Sequence, residues 1–115
     1  MVFRLSLAFA IALSTAAAFA HSKKEATTPS DGAQLTETPG LIQMQWDDPM
    51  RITMVRLVNA EGAEVALERA TSMAPSREFS AKPAPLVPGQ YTVEWRGLAA
   101  DGHAMQGSFS FELTD

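Results

Sequence analysis

Short stretches in which apolar and polar residues alternate dominate the later part of the chain, and turn-forming residues separate them. Tyr91, Val93 and Trp95 occupy alternate positions, and the apolar residues of the stretch 108–113 alternate in the same way. This period of two is typical of a β-strand with one buried face. Beyond residue 20, no stretch has a sustained helical period. The pattern therefore predicts an all-β fold.

Two similar stretches precede these, over 41–46 and 52–58, and a turn at 59–62 leads into a return strand over 63–67. Asp48-Pro49 predicts a turn between the first two stretches. Residues 71–88 hold four prolines and predict a long connection with one short strand near Glu78-Phe79. About seven short strands of this kind are typical of a small Greek-key β-barrel or Ig-like sandwich.

The first 20 residues have a different character. Arg4 precedes an apolar run over 5–18, and Ala18-Phe19-Ala20 fits the small-residue pattern of a signal-peptidase site. This predicts a cleaved export signal over 1–20 and one domain over 21–115, with His21 as its first residue. The run is too short for an ordinary membrane span. We therefore expect a soluble, exported protein without stable membrane insertion, and the bacterial periplasm as its compartment.

Charge and cysteine content exclude several classes of partner and site. The chain has 9 basic and 13 acidic residues, and Arg4 is the only charge in the first 20, so residues 21–115 carry a net charge of −5. This argues against nucleic acid or an anionic membrane as a partner. The chain has no cysteine, which excludes disulfides, thiolate metal ligands and thiolate nucleophiles.

The chain holds only two histidines, His21 and His103. At a free N-terminus, the α-amino nitrogen and ring Nδ1 of His21 can chelate one metal ion together. His103 follows Asp101-Gly102, so a second imidazole stands beside a carboxylate. Such a nitrogen-rich set suits Cu(II) in tetragonal geometry. Binding should weaken in acid, because the amine, whose unperturbed pKa is about 7.7–8.0, and the imidazoles must be deprotonated.

Ordered motifs in the chain resemble those of the CopC family of periplasmic copper-binding proteins. The family pattern is P-G-x-Y-x-V-x-W-R, then D-x-H, then G-x-x-x-F, and it is similar to residues 88–96, 101–103 and 107–111. The turn over 28–33 is similar to the family's T/S-P-x-x-G-A. These short motifs follow one another in the family's order over essentially all of the chain after residue 20.

The resemblance implies a Greek-key β-barrel with a Cu(II) site built on the mature N-terminus. It assigns His21 as the amine-and-imidazole chelate, His103 as the second imidazole, and Asp101 as a ligand or a close outer-sphere partner. An acidic position corresponds to Asp48, and Asp47 could serve equally. The resemblance also implies copper homeostasis without catalysis, and an inner-membrane copper transporter as a partner.

A departure from the family concerns Cu(I). Some members bind Cu(I) through a methionine-rich central loop, whereas residues 70–76 contain a single methionine, Met73. Thioether sulfur is the soft ligand that Cu(I) prefers, and one sulfur is too few for a closed site. Met44 and Met54 fall on strand faces and are expected in the core, while Met50 and Met105 are expected near the surface.

The sequence leaves two other classes of function open. A similar histidine set occurs in copper monooxygenases that cleave polysaccharides, although 95 residues leave little room for a polymer-binding surface. A metal-free Ig-like interaction module is the other alternative, in which Asp101-Gly102-His103 is an ordinary polar turn. A copper titration distinguishes the metal-free module from a copper-binding protein. Oxygen-dependent oxidation of chitin or cellulose would identify a monooxygenase.

Overall fold

The computed structural model describes residues 24–70 and 74–115, and this part of the chain forms strands with no helix. The strands are β1 (Lys24–Thr28), β2 (Ala33–Leu35), β3 (Ile42–Asn59), β4 (Glu64–Val65), β5 (Leu67–Arg69), β6 (Ser76–Pro83), β7 (Gly89–Ala99) and β8 (Ala104–Leu113). The all-β prediction is confirmed, with eight strands in the described residues where about seven were expected. The predicted signal segment and His21 lie outside the described residues.

The longest strand, β3, runs through both halves of one curled sheet. Its first half pairs antiparallel with β1 and β6, and the part from Met50 to Asn59 pairs antiparallel with β7. The register shifts between Gln45 and Met50. The turn predicted at Asp48-Pro49 is therefore wrong. Proline lacks an N–H for the sheet ladder, and here it interrupts the pairing at an irregular bend within one strand.

The remaining strands close the two halves around the core. The sheet order is β2-β8-β7-β3-β6-β5, with β1 and β4 also paired to β3. The chain returns from β3 in two short pieces, because β4 pairs with β3 whereas β5 pairs with β6. The single return strand expected over 63–67 is thus divided between the two halves of the sheet. The strand expected near Glu78-Phe79 is longer than predicted and forms β6.

The alternating residues meet in one core, as the sequence predicts. Tyr91, Val93 and Trp95 are buried, and so are the apolar residues at 42, 44, 46, 109, 111 and 113. The rings of Trp46 and Trp95 meet edge to face with centroids 5.5 Å apart. The core therefore joins the first half of β3 to β7.

Gly107 lies opposite Trp95 in the β7–β8 pair, and this pairing predicts a large stability effect. A Cβ atom at Gly107 would lie 2.9 Å from three atoms of the buried Trp95 indole. Gly107→Ala should therefore force the ring or the strand to move, at a cost of about 1–3 kcal/mol in the free energy of unfolding. Chemical denaturation measures the change.

The matched control is Gly40→Ala, because a Cβ atom there meets no atom within 4 Å. We expect this variant to unfold within about 0.5 kcal/mol of the parent protein. Equal stability of Gly107→Ala and the parent would mean that the Trp95 ring does not occupy this position in solution.

Candidate metal centre

The hairpin between β7 and β8 carries the only histidine in the described residues. Leu98 pairs with Ala104 at the end of the ladder, and a tight turn connects them. The N–H of Ala99 donates to the carbonyl of His103 at 2.9 Å, and the N–H of Gly102 donates to the carbonyl of Ala99 at 2.9 Å. Gly102 has a φ of 89°, a conformation that favours glycine. The turn therefore has a defined backbone geometry that presents His103.

The Asp101 carboxylate contacts both the backbone and the ring of His103. One carboxylate oxygen accepts the backbone N–H of His103 at 3.0 Å, and the other lies 2.6 Å from ring Nδ1. The side chain of Asp101 is 62% exposed and that of His103 is 80% exposed. The contact at Nδ1 fixes the orientation of the ring, and Nε2 is then the nitrogen available to a metal ion. Carboxylate–histidine contacts of this kind orient ligands at many metal sites.

The same contacts favour the ionised form of Asp101. The backbone N–H of His103, and next its ring, lower the pKa of the Asp101 carboxyl. The carboxylate therefore stays ionised at neutral pH and into mild acid. The contact between the Asp101 carboxylate and the His103 ring is therefore fully stabilising above the ordinary pKa of an aspartate. This stabilisation is lost only as the pH falls through the lowered pKa of Asp101.

The bend of β3 lies beside this hairpin. Met50, which follows Asp47-Asp48-Pro49, pairs with Ala99 at the base of the hairpin. Trp46, which precedes these residues, pairs with Lys24 in β1. Asp47 and Asp48 are exposed. The beginning of the described chain, the acidic bend and the histidine hairpin thus lie at one end of the sheet.

The sequence-predicted ligands are only partly present in the described residues. Asp101 and His103 lie together, whereas His21 lies outside the described residues. Within 24–70 and 74–115, no group of three or more histidine, aspartate or glutamate side chains could hold a metal ion. A site at this end therefore needs a donor in addition to the hairpin pair.

The methionines correct part of the sequence interpretation. Met44 is buried, as expected, but Met50 is also buried rather than near the surface. Met54 is half-buried and lies opposite the exposed Arg96 on the outer face of the sheet, so assigning it to the core was wrong. Met105 is half-buried and packs against the core. Met54 and Met105 thus lie on opposite faces of the sheet and cannot share one ion. Met73 lies outside the described residues.

The sequence profile of the CopC domain matches residues 24–114. The chain belongs to the CopC family. Its relatives include a "Copper resistance protein C" from Pseudomonas syringae pv. tomato, 26% identical over 88% of this chain and 86% of the relative. Another, from Xanthomonas campestris pv. juglandis and of the same name, is 29% identical over 90% of this chain and 88% of the relative. The resemblance found in the sequence motifs is confirmed.

Solved structures of the family share the fold. CopC from Methylosinus trichosporium OB3b matches with a TM-score of 0.70 at 22% identity, over 81% of this chain and 93% of that one. PcoC, a methionine-rich copper resistance protein from Escherichia coli, matches with a TM-score of 0.65 at 23% identity, over 83% of this chain and all of that one. Among the described residues there is no helix long and apolar enough to cross a membrane.

Proposed function

We propose that this member of the CopC family is a copper-resistance protein that binds one Cu(II) ion in the periplasm and carries or sequesters it. Both curated relatives are named copper resistance protein C, which supports the role. The arrangement of Asp101 and His103 is the observation that carries the proposal. Asp101 contacts ring Nδ1 and leaves Nε2 without this contact, on a side chain that is 80% exposed at the tip of the hairpin, which supports His103 as a ligand.

In this proposal, His21 supplies its α-amino nitrogen and ring Nδ1, and His103 supplies Nε2. Three residue steps separate His21 from Lys24, a span of at most about 11 Å in extended chain. Lys24 pairs with Trp46, directly before the acidic bend. This short connection to the hairpin end of the sheet supports His21 as the missing donor. Asp47 or Asp48 is a candidate for the remaining position.

The proposal includes processing after Ala20, because only then does His21 carry a free amine. It assigns the protein a binding role rather than a catalytic one, with copper as cargo. An inner-membrane copper transporter is the proposed exchange partner. Titration of the processed protein with Cu(II) in competition with a chelator tests the binding role, and we expect one ion per chain. A stoichiometry well below one would contradict it.

Asp101→Asn separates the two roles that the resemblance allows for Asp101. An amide can still accept the backbone N–H of His103, but it no longer supplies the carboxylate beside Nδ1. If Asp101 only orients the ring, we expect Cu(II) affinity to fall about 10- to 100-fold with an unchanged paramagnetic spectrum. A changed spectrum would instead mean that Asp101 is itself a copper ligand.

The methionine content predicts no tight Cu(I) site. Met44 and Met50 are buried, and Met54 and Met105 lie on opposite faces of the sheet. In competition with a strong Cu(I) chelator, the protein should therefore retain no Cu(I). Retention that is lost in Met73→Ala would show that the central loop supplies a site, and Met54→Ala is the matched control.

A further inference from the structure

A shallow groove lies on the outer face of the sheet, directly beside the histidine hairpin. It has a volume of about 560 Å³, and its lining includes Thr53, Arg96, Leu98 and Gln106. Ala104, the residue after His103, also lines it. The groove therefore starts one residue from the proposed copper ligand, within reach of a molecule that approaches the ion.

Two arginines on this face have no acidic partner among the residues that the structure describes. Arg51 pairs with Leu98 across β3 and β7, so its side chain shares the outer face with Leu98 and with Arg96. Both arginines are exposed, and neither forms an ion pair within residues 24–70 and 74–115. Arg56 on the same face differs, since it lies 3.8 Å from Glu64 and 4.0 Å from Glu94.

Leu98 provides an apolar centre between these charges. It is 39% exposed, one of three large apolar side chains exposed to this extent in the described residues. An apolar side chain flanked by arginines is typical of protein interfaces, where arginine is enriched. Arg96 lines the groove, and Arg51 lies beside it on the same face, opposite Leu98. This face thus combines an apolar contact area with two arginines that form no ion pair within the described residues.

Charge complementarity identifies the occupant. The chain as a whole is acidic, with a formal net charge of −4, and the groove lining contains no carboxylate. The net negative charge opposes the approach of an acidic protein surface in general, whereas the two arginines would attract it at this face. We propose that Arg51, Arg96 and Leu98 dock an acidic surface of the protein with which copper is exchanged. This inference rests on the proposed copper function, since it assigns the partner to the same site.

The probe for this docking is a hexaglutamate peptide, with hexaglutamine as the uncharged control. Amide NMR shifts of the copper-free protein are recorded during titration at low ionic strength. We expect weak binding of the acidic peptide, with shifts concentrated around Leu98 and Ala104, and no binding of the uncharged peptide. Added salt should reduce the affinity, because exposed charges are screened.

Arg51→Gln and Arg96→Gln should each weaken hexaglutamate binding about three- to fivefold. Lys82→Gln is the matched one-charge control on β6, outside the groove, and should change it less than twofold. Equal effects of all three variants, or shifts elsewhere, would overturn the proposal. So would self-association through this face, or binding of anionic vesicles that exceeds binding of the peptide. The titration uses no copper, so failure of the copper function alone leaves its outcome readable.

Discussion

One additional residue before His21 is expected to weaken Cu(II) binding by about two to three orders of magnitude. The extension turns the α-amine into an amide and so removes one nitrogen donor and its chelate ring. Both imidazoles remain. Complete four-ligand zinc sites total about 10–16 kcal/mol, so one strong donor corresponds to several kcal/mol. Competition with a Cu(II) chelator, run on the processed and extended proteins side by side, measures the loss.

The control for this comparison is that the extended protein keeps the fold of the processed protein. The described strands begin at Lys24, so an extension before His21 should leave the circular dichroism spectrum and the melting temperature unchanged. Acetylation of the N-terminus is a second route to the same amide and should give the same loss. Equal affinity in processed and extended forms would show that the amine does not coordinate copper.

His103→Ala is expected to weaken Cu(II) binding at least about a hundredfold, because it removes the second imidazole from the site. The side chain is 80% exposed and contributes little to the core, so stability should change by less than about 1 kcal/mol. Chelator competition and thermal unfolding of the same sample separate the two effects.

The Cu(II) affinity of His103→Ala can be compared with that of Asp101→Asn, which leaves the imidazole in place. We expect the histidine variant to lose more affinity than the aspartate variant. Retention of full Cu(II) affinity by His103→Ala would remove the hairpin from the site, whatever the role of His21.

The strand faces could be predicted from sequence because burial on one side imposes a period of two. Tyr91, Val93 and Trp95 follow that rule, and the structure buries all three. The bend in β3 could not be predicted in this way. Asp48-Pro49 has turn chemistry, but strands β6 and β7 pair on either side of it and hold both sides in one continuous strand. Tertiary pairing thus overrode a local signal.

The same limit applies to the methionines. Met50, which was expected near the surface, pairs with Ala99 and enters the core. Met50 keeps the phase of the buried residues at 42, 44 and 46, so alternation would have placed it inside only if the strand was known to continue through Asp48-Pro49. The phase changes after Ile52, where the register with β7 shifts, and Met54 therefore lies on the outer face.

At the candidate site, the sequence indicated Asp101 and His103 but left the role of the carboxylate open. The structure adds the contact at Nδ1 and the paired backbone hydrogen bond. Their geometry depends on the turn at Gly102, which residue types alone do not define. Arg51 and Arg96, which form no ion pair within the described residues, were also missed, since only the pairing of β3 with β7 places Arg51 on the face that Arg96 and Leu98 share.

Paramagnetic resonance of the processed protein, loaded with one equivalent of Cu(II) at neutral pH, tests the central claim most directly. We expect a tetragonal Cu(II) signal with nitrogen coupling from three donors: the amine and ring of His21 and the ring of His103. Labelling the histidines with ¹⁵N should alter the coupling pattern. A spectrum without nitrogen coupling, or one unchanged in His103→Ala, would contradict the account.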